Sequence, residues 1–181
     1  MKLIKNPPDA DRLIHGLRDT GYDFQTAAAD IIDNSIAADA NQISVSLSIT
    51  REGRKFVYFG DDGPGMDSSE LFSAMTYGAP KRKNEKSLGK FGLGLKTASS
   101  SICKRFSVIS RKSESDALYK LAWDLDQVTS AQEWVMIEEE VTETEGNEFL
   151  NHCGGSGTLV IWSNCDRMLK KDYEAGSSNE Q

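Results

Sequence analysis

The chain is 181 residues long, 38% hydrophobic and 27% charged, with a net charge of −7. That balance suits one domain with a sizeable core and excludes a protein that binds nucleic acid or anionic membrane with its whole surface. No apolar run approaches the roughly 20 residues needed to cross a bilayer.

The opening "MKLIKNPPDADRL" lacks the apolar stretch and small-residue cleavage site of a secretory leader. The three cysteines, Cys103, Cys153 and Cys165, show no paired spacing, which points to a reducing compartment: cytoplasmic, or nuclear in a eukaryote. His15 and His152 lie far apart and read as ordinary histidines. In chain order, "NPPDAD" is extended and leads into a short helix over residues 12–19. Residues 24–38 are alanine-rich with apolar positions at helical spacing and form the strongest helix. In "QISVSLSIT", Ile43, Val45, Leu47 and Ile49 alternate with serines, so this is a strand with one buried face. "REGR" turns the chain into a hairpin partner, "KFVYFG". After "DDGPGM", Asp67 and Glu70 stand at capping-box spacing before a helix. Residues 79–88 are loop-like, and 94–102 are helical. "RFSVISR", "ALYKLAWDL", "EWVMIEE" and "TLVIWSN" read as strands, with "TETEGNEFLNHCGGSG" a long polar loop between the last two. Residues 166–174 read as a final helix and 174–181 as a linker or frayed tail. Early helices and late strands do not alternate as βαβ units would, which predicts an α+β sandwich.

Charge is unevenly placed. Residues 77–96 hold six basic side chains (Lys81, Arg82, Lys83, Lys86, Lys90, Lys96) and one acid, Glu85. Residues 138–148 hold six glutamates and no basic residue, the pattern of a solvated loop or strand end. The basic run surrounds Gly89, Gly92 and Gly94. Backbone N–H groups at a helix start bind anions, and glycine admits phosphate oxygens closely; a plain flexible turn is the alternative. The spacing matches neither a Walker A loop nor a dinucleotide fingerprint. Asp30 and Asn34 share one face of the second helix. They read either as a solvent-facing stripe or as a base beside a metal ligand. In "FGDDGPGM", an aspartate at a strand end is placed to accept from an exocyclic amine, or the segment is a common Asp-Gly turn. Thr158 after three glycines is weak evidence alone.

Together these pieces resemble the Bergerat-fold ATPases, the superfamily of gyrase B, MutL, the heat-shock chaperones with this ATP site and the histidine kinases. In that superfamily an E-x-x-x-N helix is followed by D-x-G-x-G, a glycine-rich lid ending G-x-x-G-x-G, and a Gly-Thr strand. This chain presents Asp30-x-x-x-Asn34, Asp61-x-Gly63-x-Gly65, Gly89-x-x-Gly92-x-Gly94 and Gly157-Thr158, across about residues 24–162. "DIIDNS", "DDGPGM" and "GKFGLGLK" look most like the MORC-type branch.

The resemblance implies a two-layer α+β sandwich over residues 1–173, with a mixed, mostly antiparallel sheet and helices on one face. It implies an ATP-binding, slowly hydrolysing module with ATP and Mg²⁺ as cofactors. Asn34 is then the Mg²⁺ ligand, and Asp61 takes the adenine amine. Gly63, Gly65 and Met66 shape the base pocket, and Thr158 supports Asp61. Gly89, Lys90, Phe91, Gly92, Leu93, Gly94 and Leu95 wrap the phosphates in a mobile lid beginning near Tyr77. Lys96, with Lys81 and Lys83, offsets phosphate charge, and Asp30 is the catalytic base. The partners implied are ATP and a second copy in an ATP-dependent homodimer joined through the N-terminal segment. DNA or a DNA-acting partner enters only through further domains, and no membrane is involved.

Two departures bear on activity. The base position normally carries Glu. Asp30 is shorter by one C–C bond, about 1.5 Å, and a displacement of that size can cost ~100-fold in rate. Ala37 stands where an acid is frequent, and the second domain that supplies a lysine to the γ-phosphate is not seen in this sequence. Two other functions therefore stand beside hydrolysis: a non-catalytic nucleotide sensor, and histidine-kinase-type phosphotransfer. No histidine-bearing dimerisation helix is seen ahead of the motifs to favour the latter.

Overall fold

The computed structural model describes residues 3–4, 6, 8–19, 21–78 and 93–168. Helix α1 (Ala10–Arg18) starts where the Asp9 side chain accepts the Arg12 N–H at 2.9 Å. Helix α2 (Phe24–Ala37) starts the same way, with Asp23 accepting from Thr26 at 2.9 Å. Strands β1 (Ile43–Ile49) and β2 (Lys55–Asp61) form the expected hairpin, with Ile43 opposite Asp61. Helix α3 (Ser68–Met75) carries the Asp67/Glu70 capping box, and α4 (Gly94–Ile102) follows. The chain then forms β3 (Arg105–Arg111), β4 (Tyr119–Asp124), α5 (Leu125–Ala131), β5 (Ile137–Glu138), α6 (Glu143–Cys153) and β6 (Gly157–Ser163).

The strand order is β1-β2-β6-β3-β4-β5, and every pairing is antiparallel. Side chains alternate across a strand, so one face presents Val57, Phe59, Val108, Phe106, Val160 and Trp162. Ile14, Ala27, Ile31, Leu71, Met75, Ala98 and Ile102 from the helices bury that face. This is the α+β layered fold that the sequence implies, with two differences: the sheet is antiparallel throughout the described residues, and α6 covers the face opposite the other helices. Strand β1 is an edge of the sheet, and the burial expected of its apolar face is corrected: Val45, Leu47 and Ile49 are 45%, 60% and 68% exposed, while Ser44 and Ser46 on the other face meet His152 of α6.

Three further local readings are corrected. Residues 143–153 are not a loop but α6, which starts with a Thr142/Glu145 capping box. Phe149 and Cys153, four apart on α6, pack with Ile109, Leu159 and Ile161 in a second small core on the reverse face of the sheet. The strand expected over 117–125 ends at Asp124, whose carboxylate accepts the Asp126 N–H at 3.1 Å and so starts α5. The strand expected over 133–139 shrinks to Ile137–Glu138, because Trp134 turns in against Tyr77 and Trp123 at ring separations of 5.2 and 5.8 Å. The helix expected over 166–174 is absent from residues 166–168, and the remainder lies outside the described residues.

Candidate functional site

The β2 strand delivers Asp61 to the helix-covered end of the sheet, where it is 7% exposed. Its Oδ2 accepts from Ser35 Oγ at 2.8 Å and its Oδ1 from the Gly63 N–H at 3.0 Å. Burial pushes the carboxyl above the usual aspartate value, against the pull of Ser35, Gly63 and the Thr158 backbone. The neighbouring Asp62 does a different job: its Oδ1 accepts the N–H groups of Asn41 and Gln42 at 2.7 and 2.8 Å, closing the start of β1 onto the end of β2.

Thr158 lies directly opposite Asp61 in the β2–β6 ladder. Its Oγ1 is 3.0 Å from Ser110 Oγ, which donates to the Gly157 carbonyl at 2.7 Å and accepts the Met66 N–H at 2.9 Å. One hydroxyl thus pins the turn after β2 to both β3 and β6. That turn needs glycine at Gly65, where φ is +62° and a Cβ would lie 1.9 Å from the Arg111 carbonyl oxygen. Gly157 is under the same constraint, with φ +134° and a virtual Cβ 1.8 Å from the Asp61 carbonyl oxygen. Here bare backbone lets the chain approach itself.

Helix α2 supplies the second group of residues. Asp30 Oδ2 accepts from Tyr22 Oη at 2.6 Å. That hydrogen bond, with burial and the carboxylate charge, pushes the Tyr22 phenol up to about 12. The Asp30 carboxylate also faces the start of α4, since a Cβ on Gly94 would lie 3.9 Å from Oδ2. Asn34 is exposed, and its Nδ2 donates to the Asp30 carbonyl at 2.8 Å. A carbonyl only accepts, so the amide nitrogen faces the helix and Oδ1 is left to face away. One outward amide oxygen suits Mg²⁺, which keeps most of its shell as water and substrate phosphates. Among the described residues no cluster of three His, Cys, Asp or Glu side chains forms a metal cage.

Leu93 precedes α4 without a side-chain cap, and its carbonyl accepts the Thr97 N–H at 2.8 Å. Lys96 is 2% exposed; its Nζ donates to the Ala74 carbonyl at 2.7 Å and lies 5.9 Å from the Tyr77 ring centre. It ties α4 to the end of α3. Lys81, Lys83, Gly89, Lys90, Phe91 and Gly92 lie outside the described residues. The structure therefore groups Asp61, Gly63, Gly65, Met66 and Thr158 in one hydrogen-bonded cluster. It groups Asp30, Asn34 and Gly94 in a second, and the two are joined through Ser35. Ser35, Ser110 and Tyr22 escaped the motif reading. Ser35 and Ser110 each take an inward-facing position in an otherwise apolar pattern, which was the available signal.

A family model described as histidine kinase-, DNA gyrase B-, and HSP90-like ATPase matches residues 22–157. The chain is 28% identical to mouse ATPase MORC2A over 176 residues, covering 78% of this chain and 17% of that protein. It is 29% identical to human ATPase MORC2 over the same shares. It is 31% identical to Caenorhabditis elegans ATPase morc-1 over 88 residues, covering 48% of this chain and 10% of that protein. The chain thus spans 17% of the length of the mammalian relatives.

Proposed function

Because the chain belongs to the histidine kinase-, DNA gyrase B- and HSP90-like ATPase family, with MORC ATPases among its relatives, we propose that it binds Mg-ATP and hydrolyses it slowly. The observation that carries this reading is the buried Asp61 carboxylate at the end of β2, held by Gly63 and by Ser35, the residue that follows Asn34 on the helix carrying Asp30. A fixed, desolvated acceptor of this kind suits an adenine amine. Gly63, Gly65 and Met66 form the turn beside it, and Thr158 closes it from β6.

Asn34 Oδ1 would hold Mg²⁺, which when bound supplies charge neutralisation across the phosphate oxygens. The N–H groups of Gly94 and Leu95 open α4 towards the phosphates, with residues 89–93 completing the lid. Asp30 orients the attacking water in line with the γ-phosphate. The lid closes because it contacts the γ-phosphate in the closed state alone, and the closed state dimerises. The domain works as part of a larger protein, in the cytoplasm or nucleus.

Mg-ATP is expected to raise the melting temperature of the wild-type protein, and Asp61→Asn to remove that shift while leaving the unliganded melt intact. Unchanged wild-type melting at millimolar Mg-ATP overturns the reading.

A second reading, a nucleotide sensor that does not turn over, is favoured by one contact. Tyr22 occupies an oxygen of Asp30 at 2.6 Å, on a side chain already shorter than the usual glutamate. Turnover by the wild type, Asp30→Ala and Asp30→Glu separates the two. A hydrolase loses activity in Asp30→Ala and gains it in Asp30→Glu; three equally silent proteins that still bind ATP are sensors.

A further inference from the structure

Two thiols that the nucleotide reading does not use meet at the C-terminal end of α4. Strands β3 and β6 pair with Arg105 opposite Ser163. Just beyond, the Lys104 N–H donates to the Asn164 carbonyl at 3.1 Å, and the Arg167 N–H donates to the Ile102 carbonyl at 3.1 Å. Cys103 and Cys165 lie on the two facing backbones between these bonds. The register slips by one residue between these two bonds, where Asn164 takes a φ of +50°, and the two thiols are near enough to shift one another's ionisation.

The two thiols differ in access. Cys103 is fully buried, with its thiol directed at the Ser99 carbonyl at 3.1 Å. Cys165 is partly exposed and lines a surface depression of about 340 Å³. Arg54, Lys55 and Lys104 line the same depression; Arg54 pairs with Glu52 at 3.6 Å, Lys104 with Asp126 at 3.2 Å, and Arg18 holds Asp166 at 2.5 Å, so Lys55 is the cation that acts on the Cys165 thiol. Contact with the Cys103 sulfur draws the Cys165 thiol below its ordinary value, and burial pushes Cys103 well above. A partly exposed thiol beside Lys55, backed by a buried second thiol, is the arrangement of a reactive cysteine with its resolving partner.

We propose that Cys103 and Cys165 form a redox-active dithiol, oxidised to an intramolecular disulfide by an anionic low-molecular-weight disulfide of the glutathione class that enters at Cys165. The Cys165 thiolate attacks one sulfur of glutathione disulfide. A mixed disulfide forms and one glutathione thiolate leaves, taking a proton from solvent. The Cys103 sulfur then attacks Cys165, the mixed disulfide breaks, and the second glutathione leaves with the proton from Cys103. Two protein thiols are oxidised and one glutathione disulfide is reduced to two glutathiones. The reaction needs no nucleotide, so it stands apart from the ATP reading.

The test uses the whole protein, incubated with glutathione disulfide, alkylated, and examined by intact mass and non-reducing peptide mapping. The expected product has lost the mass of two hydrogens, links the Cys103 and Cys165 peptides, and leaves Cys153 alone to be alkylated. Cys103→Ala should stop at one glutathionyl group on Cys165. Cys165→Ser should leave Cys103 unmodified. Lys55→Glu should slow the first step several-fold. A wild-type protein that keeps three alkylatable thiols, or that links or modifies Cys153 instead, overturns the proposal. If Cys103→Ala does not fold, the wild-type map and Cys165→Ser decide the matter.

Discussion

Asp61 sets a pH dependence whose sign is fixed by its surroundings. Burial raises its carboxyl above the ordinary aspartate value, so the folded protein favours the protonated form more than the unfolded chain does. Its contribution to stability is present below the unfolded pKa and lost as pH rises through the folded one. Nucleotide binding runs the other way, because an amine donates best to the ionised carboxylate. Affinity for Mg-ATP is expected to fall as pH drops through the raised value, and Ser35→Ala, which removes a donor holding that value down, should move the fall to higher pH. Calorimetric titration across mild acid checks both. Ser110 is fully buried and serves the Met66 N–H and the Gly157 carbonyl together. Ser110→Ala removes both hydrogen bonds and is expected to cost ~1–3 kcal/mol in urea unfolding. An inward serine in an apolar pattern marks each position but does not name its partner. Their partners lie 26 and 48 residues away in sequence, so only the folded chain reveals the contacts.

At the level of elements, legibility followed local chemistry. The serine alternation of β1, the alanine-rich α2 and the Asp67/Glu70 box before α3 each specify their element within a few residues, and each was read from sequence. Helix α6 was missed because six glutamates over residues 138–148 suggested a solvated loop. The Thr142/Glu145 box and the Phe149/Cys153 spacing were the helical signals hidden among them. Thr142→Ala is expected to cost ~1 kcal/mol of stability, read as a lower urea midpoint. Gly65→Ala should be far worse, ~3 kcal/mol or more, because its Cβ would overlap the Arg111 carbonyl at a left-handed φ. Thermal melting of the two variants should rank them in that order.

Over the whole molecule, a charged network joins the sheet to α6. Lys120, 6% exposed, contacts Glu139 at 2.8 Å and Glu145 at 2.6 Å, and Arg105 reaches Glu139 at 2.7 Å. Burial raises both glutamates, but their hydrogen bonds to Lys120, with Arg105 adding to Glu139, leave them below the ordinary value. Stability from this source is present above the unfolded glutamate pKa and lost as pH falls through the lowered values. Lys120→Met should flatten that acid limb of the stability profile. The side of β1 that no described strand pairs with has a consequence for handling. From Ile43 to Ile49 it carries no lysine, proline or other guard. As the protein is concentrated or warmed, copies should stack rim to rim into insoluble filaments before the interior melts. Leu47→Lys is expected to raise the concentration at which turbidity begins and leave the melting temperature where it was.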